Sequence, residues 1–476
     1  MDNIQNYKFS KNICSSFSWK NITGHWWLLA IWEFINSKLN LEKLLEKSIK
    51  ESWNPKKIKH KKAKIVIQKM YAIITWYTTD NIDGYIKNDP VFKVLLWEVV
   101  PKTTVNRILN SFWENIEKAL KNVQLEIEKF NITTTNKKSI IIDIDTTFDE
   151  ASGNIEKSSY NTHYSTTGYS PILAFDWLTW DLIRWILRPW NFHCSKESLV
   201  FIKEIVEFYE QNGVEMSFRM DSWFSIPEIY EYLESKNIKY YIKLKSNSVL
   251  KSKAIELGDI NNAVPWKNIW LEFQYGANSW DKERRIICSI DWINKETEES
   301  KKNNNETKQY SLFPFYSFIV TNEIKYTKQE VFSMYNWRAI IETLIEEAKN
   351  WFMMNRLSHS SFLVNSAVFQ IHLLTIQVFQ LFRKMTTWDK RKVKENKVYT
   401  NKDYDGKFEW IKKIWRKEYS LFTLQTFRLI LINIPATVIK TWRKLLFRFE
   451  QTFWWKNLYN NIMARMSLLP ILEVSS

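Results

Sequence analysis

The sequence predicts a mixed α/β core that carries a β-rich insertion and is flanked by helical regions at both ends. Three observations predict it. Up to about Phe130 apolar residues recur at helical spacing, as in Leu41 to Ile49 and Thr104 to Phe130. From Ile140 onward the pattern switches to β-branched runs of strand length, interleaved with a helix. Between about Ile238 and Thr321 short strand-like runs alternate, and long helices occupy most of the remainder.

In the first region a dense basic run, Lys56-Lys57-Ile58-Lys59-His60-Lys61-Lys62, either contacts DNA phosphates or is a solvated helix start. Asn131 to Ser139 is polar and Thr-rich, the composition of a linker. Ile140 to Asp145, Pro171 to Phe175, Leu182 to Leu187 and Val214 to Asp221 read as strands. Ser195 to Gln211 reads as a helix, with a Ser cap at its start and Gly213 shortly after its end. A doubly wound nucleotide-binding fold would suit this order, but the chain has no GxGxxG or GxxxxGK[ST] to cradle phosphates. Tyr240 to Leu244, Trp270 to Tyr275 and Arg285 to Ile290 are the strands expected in the insertion, with a polar loop from Lys295 to Lys308. Phe315 to Val320 returns to a buried strand. Phe362 to Phe382 is the longest apolar stretch; Asn365, Gln370, His372 and Gln377 interrupt it, which predicts a buried helix and no membrane span.

Bulk composition restricts the function classes. A chain of 476 residues with 45% hydrophobic residues can bury a large core, and 68 Lys and Arg against 52 Asp and Glu leave a formal charge of +16, as suits a polyanion partner. The three cysteines, Cys14, Cys194 and Cys288, show no CxxC spacing, which argues for a reducing compartment and against a zinc ribbon. His163, His193 and Cys194 make no convincing ligand set. The first residues lack a secretion signal, so a soluble cytoplasmic protein is expected.

The chain holds 8 Gly and 25 Trp, which together match the share of about 7% that Gly alone takes in ordinary proteins. Many of these Trp stand in turn-like contexts, as in Asp221-Ser222-Trp223-Phe224, Arg188-Pro189-Trp190-Asn191 and Leu178-Thr179-Trp180-Asp181. The expectation is that the gene uses UGA for Gly. UGG codons at these positions would rule it out.

Phosphodiester cleavage with two divalent ions needs hard oxygen ligands converging on cations about 4 Å apart. Asp145 closes an apolar strand ahead of Thr146-Thr147, and Asp143 shares its strand face. Asp221 closes another strand. Either aspartate alone could be a strand-end or cap residue. Tyr335, Arg338, Glu342 and Lys349 would fall within an arc of about 60° on one continuous helix, with Glu346 as the alternative ligand. Glu342 could also merely pair with Arg338 and Lys349 on a wet surface.

Tyr335-x2-Arg338-x3-Glu342-x6-Lys349 resembles the Tyr-Arg-Glu-Lys signature of a superfamily of insertion-sequence DDE transposases. Ile142-Asp-Ile-Asp-Thr-Thr147, His163-Tyr164, Leu187-Arg-Pro-Trp-Asn191 and Arg219-Met-Asp-Ser-Trp-Phe224 are similar to it as well, and the likeness runs from about Trp19 to Phe449. The departures are Trp at positions where relatives resemble Gly, namely Trp177, Trp180, Trp185, Trp190, Trp223, Trp337 and Trp351.

The resemblance implies an α/β, ribonuclease-H-like catalytic core with a β-rich insertion, flanked by helical regions. The expected parts are 1–130, helical and DNA-end-binding; 136–237, the first part of the core; 238–314, the insertion; 315–385, the second part with the signature helix; and 386–476, a basic helical C-terminal region. It implies Asp145, Asp221 and Glu342 as catalytic residues and ligands of two Mg²⁺ or Mn²⁺ ions. Tyr335, Arg338 and Lys349 would hold phosphates, and Trp280 with Arg284 and Arg285 would contact DNA in the insertion. The implied partners are double-stranded DNA, both terminal inverted repeats and target, and a second protomer in the DNA-bound complex. A nuclease without strand transfer and a decayed remnant that only binds DNA are the alternatives.

Overall fold

The computed structural model describes residues 4–6, 14–16, 22–51, 59–110, 115–161, 165–189, 195–258, 269–293, 310–387, 424–427, 436–440, 445–448 and 456–474, except 26, 78–82, 97, 152–154, 337, 339 and 358. The loop from Lys295 to Lys308, His163, His193, Cys194, Trp190 and Trp337 lie outside the described residues.

The elements that build the core are, in chain order, helices α1 (Leu41–Ser48), α2 (Lys62–Ile74), α3 (Lys102–Leu109) and α4 (Asn115–Thr135), then strands β1 (Ser139–Thr146), β2 (Ile172–Asp176) and β3 (Asp181–Ile186). Helix α5 (Ser195–Gln211), strand β4 (Glu215–Met220), helix α6 (Pro227–Ser235), strand β5 (Lys239–Leu244) and helix α7 (Ser248–Gly258) follow. Strands β6 (Ile269–Tyr275), β7 (Arg284–Ile293) and β8 (Tyr310–Thr321) precede helices α8 (Lys328–Asn336), α9 (Ile340–Phe352) and α10 (Phe362–Thr387).

All eight strands form one sheet in the order β6-β7-β8-β5-β4-β1-β2-β3. Within it, β3-β2-β1 are antiparallel, while β4 and β5 run parallel to β1. This is the ribonuclease-H-like arrangement. Parallel neighbours need crossovers, and α5 and α6 supply them. Tyr240 to Leu244, expected in the insertion, instead belongs to the parallel core strand β5, whose Lys239 to Ile242 pair with Ser217 to Met220 of β4. The inserted strands β6, β7 and β8 do not fold apart; they extend the same sheet from the β5 edge.

Alternation along β1 explains which face carries chemistry. Ile140, Ile142 and Ile144 point into a core shared with Phe201, Ile205 and Tyr209 of α5 and Ile229 and Leu233 of α6. Asp143 and Asp145 therefore point to the opposite face, where Val331, Phe332 and Tyr335 of α8 pack with Tyr241, Ile287 and Ile319. On that face α10 joins α1, α2 and α4 in a second apolar core that includes Leu173, Phe175 and Leu182. Helix α10 is long and apolar enough to cross a membrane, yet 94% of its most apolar window is buried within the chain.

Four expectations change. Thr104 to Phe130 is two helices, α3 and α4, and α4 runs through most of the Thr-rich stretch to Thr135. Thr133 and Thr135 hydroxyls bond the carbonyls of Lys129 and Asn131 one turn earlier, so they add no break to the helix. The C-terminal region is not wholly helical: Ala436–Lys440 and Leu445–Arg448 form an antiparallel pair, and the first adds to Ile22–Thr23. Of the basic run, Lys56 to Ile58 lie outside the described residues, while Lys59 pairs with Glu98 and Lys61 with Glu46. Finally, the helix expected from Tyr335 to Phe352 is broken: α8 ends at Asn336 and α9 begins at Ile340. Tyr335 and Arg338 thus do not share one helical face with Glu342 and Lys349.

Two tryptophans stand in the left-handed region, Trp76 at φ 69° and Trp180 at φ 62°. That conformation costs an L side chain roughly 1–2 kcal/mol and suits Gly. Trp180 lies in the β2 to β3 turn, and its buried Nε1 has no hydrogen-bond acceptor. Both positions fit the expectation that Trp stands where the fold asks for Gly.

Candidate active site

The site begins with strand register. Met220 of β4 pairs with Ile144 of β1 in the parallel ladder, so the next residues, Asp221 and Asp145, emerge side by side at the carboxyl ends of adjacent strands. Each is turned by its own chain: the Thr146 amide donates to Asp145 Oδ1 at 2.8 Å, and the Ser222 amide donates to Asp221 Oδ1 at 2.5 Å. Asp221 so caps the short 3₁₀ turn Ser222–Phe224. Burial raises the Asp145 carboxyl above its usual range; Arg338 opposes this, and the negative charge of Asp221 adds to it.

Arg338 sits between the two helices rather than within one. Its Nη2 lies 2.8 Å from Asp145 Oδ1 and donates to the Ile144 carbonyl at 3.1 Å. Burial disfavours the guanidinium charge, but Asp145, Tyr335, Asp143 and Asp221 outweigh it and hold Arg338 above its ordinary value. Burial, with the two aspartates, pushes the Tyr335 phenol up to about 12, so it remains a proton donor beside Arg338. Asp145, Asp221, Arg338 and Tyr335 are thus brought together.

Glu342 is not part of that group. Helix α9 buries Ile341, Leu344, Ile345, Ala348 and Phe352, a single stripe, which leaves Glu342 exposed in its first turn and Glu346 exposed one turn later. Lys349 is seven residues beyond Glu342, about 20° around the helix and so on the same face. Its ammonium donates to the Phe148 carbonyl at 2.6 Å and lies 3.3 Å from Asp149 Oδ1. The face that carries Glu342 therefore turns toward the segment just after Asp145. Among the described residues no three Asp, Glu, His or Cys side chains converge as a metal site. Asp145 and Asp221 offer the hard oxygen donors that suit Mg²⁺ or Mn²⁺.

The insertion residues Trp280, Arg284 and Arg285 make contacts within the chain. Trp280 packs edge-on against Tyr230 and Tyr275, and Arg284 lies over both Trp280 and Tyr230. Arg284 is also ion-paired with Glu234 and Asp281, while Arg285 pairs with Glu272 and donates to the carbonyls of Glu323 and Tyr326. These three residues form internal packing of the β6 to β8 region, with their charges compensated in place.

Sequence reasoning left out the role of Arg219, which forms a buried two-point ion pair with Asp143 beneath the two aspartates. The signal was present: Arg219 stands two residues before Asp221, as Asp143 stands two before Asp145.

Comparison with known proteins adds the following. The sequence model of a family described as "Transposase DDE domain group 1" matches residues 5–400. A cryo-EM structure of a piggyBac transposase synaptic complex with hairpin DNA is similar at a TM-score of 0.41 and 12% identity, covering 100% of this chain and 89% of that one. No curated protein sequence matches.

Proposed function

Because the chain belongs to the group 1 family of DDE-domain transposases, we propose that it cuts DNA at the ends of an insertion sequence and joins them to target DNA. The observation that carries this reading is the juxtaposition of Asp145 and Asp221 at the ends of neighbouring parallel strands. Asp145, Asp221 and Glu342 are the catalytic carboxylates of the proposal. Together they would hold two divalent ions, Mg²⁺ or Mn²⁺, which supply Lewis-acid stabilisation of charge on the reacting phosphate.

The chain's own groups do the rest. Asp145 and Asp221 orient the site toward one phosphate. Arg338 and the protonated Tyr335 beside it offer donors to phosphate oxygens, and Lys349 adds a cation on the Glu342 face. Water attacks the phosphodiester at the element's end, and the freed 3′-OH then attacks either the opposite strand or the target directly. No covalent bond to the protein is needed. In this proposal residues 1–130 bind the terminal inverted repeats, 136–237 with β5 and 322–385 form the catalytic core, the inserted strands β6, β7 and β8 widen its sheet, and 386–476 supports pairing of two protomers on DNA. The reaction takes place in the cytoplasm.

A second reading, a remnant that binds DNA without cutting it, is favoured by one observation: Trp223, two residues after Asp221, is 63% exposed at the site's mouth, where relatives resemble Gly. One experiment decides between them. Full-length protein is incubated with DNA carrying the element's ends and Mg²⁺, beside Asp145→Ala, Asp221→Ala and Glu342→Ala. Cleavage by the parent and none by the three variants, with end binding intact, is the expected result. Binding without cleavage by the parent and by its Trp223→Gly form establishes the remnant, and cleavage that survives the Asp145 and Asp221 changes refutes the catalytic assignment.

A further inference from the structure

We propose that the Asp143–Arg219 ion pair is a positioning unit that sets the spacing and aim of Asp145 and Asp221. This inference rests on the catalytic reading above and assigns the pair no contact with DNA or metal.

The geometry is specific. Arg219 Nε donates to Asp143 Oδ1 and Nη2 to Asp143 Oδ2, both at 2.5 Å, and Nη1 donates to the Met334 carbonyl at 2.6 Å. The guanidinium also lies 4.6 Å from the Trp177 ring centroid. Arg219 and Asp143 face each other in the β4 to β1 ladder, and the next residues on the same strand faces are Asp221 and Asp145. Met334 belongs to α8 and immediately precedes Tyr335. One guanidinium therefore ties together both aspartate-bearing strands and the helix end that leads to Tyr335 and Arg338.

A planar fork with fixed donor directions specifies orientation as well as charge. That matters here because Asp145 and Asp221 are like charges at adjacent strand ends. Their repulsion favours splaying the strands, and a rigid link one layer below opposes it. The pair is internally neutral, so it adds no net charge to the site; among the described residues Arg338 supplies the cation that touches Asp145. Arg219 is fully buried and Asp143 is 2% exposed. Neither reaches a substrate, so any effect on cleavage passes through the groups that the pair positions, and weaker metal binding is the signature of an effect on the two aspartates.

The test uses full-length protein with Arg219→Lys, which keeps the charge and loses the fork, and Asp143→Asn, which keeps the shape and loses the charge. Direct Mn²⁺ binding is followed by electron paramagnetic resonance, beside the Mg²⁺ dependence of end cleavage, thermal melting and DNA-end affinity. The expected result is a cooperative melt, unchanged end affinity, Mn²⁺ binding weaker by about 10- to 100-fold, and a matching rise in the Mg²⁺ needed for half-maximal cleavage. A folded variant that binds Mn²⁺ like the parent overturns the proposal, as does a rate loss equal at every metal concentration. If one variant fails to fold, the other decides; if neither folds, the pair is a stability element and the proposal fails. Asp145→Ala separates the two layers. Retained cleavage there defeats the catalytic reading, whereas an inactive Asp145→Ala beside an Arg219→Lys with parental Mn²⁺ binding defeats only the positioning role.

Discussion

The Arg338 guanidinium lies 2.8 Å from Asp145 and donates to the Ile144 carbonyl just before it on the same strand. It balances two carboxylates that would otherwise repel, since the Asp221 charge raises Asp145 further. Replacing Arg338 with Met should lower the melting temperature of the metal-free protein. Mg²⁺ should then raise the variant's melting temperature by more than it raises the parent's, because an uncompensated pair of carboxylates binds a divalent ion more tightly and binding stabilises by mass action. Loss of a transition-state donor should also slow cleavage by about 10²–10³-fold. Equal Mg²⁺ shifts in the two proteins would contradict the balancing role.

Lys349 guards a buried acid. Asp149 is fully buried, and burial raises its carboxyl while Lys349 opposes the rise. A carboxyl raised on folding favours the folded state at acid pH, and that contribution is lost as pH climbs through the raised value. Lys349→Met removes the opposing cation and raises Asp149 further. Relative to the parent, the variant should therefore be little affected near pH 4 and destabilised by about 1–3 kcal/mol at pH 7. Adding Asp149→Asn should flatten this pH dependence; urea titrations across the range measure it.

Asp181 behaves in the opposite sense. Burial would raise its carboxyl, but Lys384, Lys137 and the Thr179 hydroxyl outweigh burial and hold it below the usual range. A depressed carboxyl contributes stability at pH above its unfolded value and loses it as pH falls through the folded one. Asp181→Ala leaves Lys384 buried beside Asn131 without its ion-pair partner. The expected cost at neutral pH is about 3–5 kcal/mol. The deficit should narrow below about pH 4, where the parent loses the same interaction. A constant deficit down to pH 2 would show that Asp181 acts through packing instead.

Trp180→Gly should stabilise the protein. The substitution relieves a left-handed backbone and a buried Nε1 without an acceptor, at the expense of part of a half-buried ring. The net gain should be about 1 kcal/mol, with strain relief of roughly 1–2 kcal/mol as its main part. Thermal melting decides, and a lower melting temperature would mean that the ring is a true core residue. UGA at the codons for Trp76 and Trp180, the two left-handed tryptophans, is the matching genetic observation.

Much of the fold was legible because the signals are local. Ser195 to Gln211 was bounded by its cap and by Gly213 and is α5 to the residue. Ile140 to Asp145 was a strand by its β-branched content and Val214 to Asp221 the strand expected after that helix, and they place the two aspartates at strand ends. The break between Asn336 and Ile340 was not legible: α8 packs with Tyr241, Ile287 and Ile319, and α9 joins the helical core around α10, contacts between segments far apart in the sequence. Of the expected site residues, Asp145, Asp221, Arg338 and Tyr335 come together, whereas Glu342 shares a face with Lys349 but not with Tyr335.

By itself, the sequence determined which residues alternate in and out along each strand, where the candidate carboxylates stand in the chain, and a net charge of +16 that suits a polyanion partner. The tertiary structure alone decided that Lys239–Leu244 joins the parallel core and that Ala436–Lys440 pairs with Ile22–Thr23. It likewise decided that Arg219 meets Asp143 across 76 residues. The physical reason is range. Side-chain direction follows from backbone geometry within a few residues, whereas burial and the choice of counter-charge depend on groups that meet only when distant segments pack.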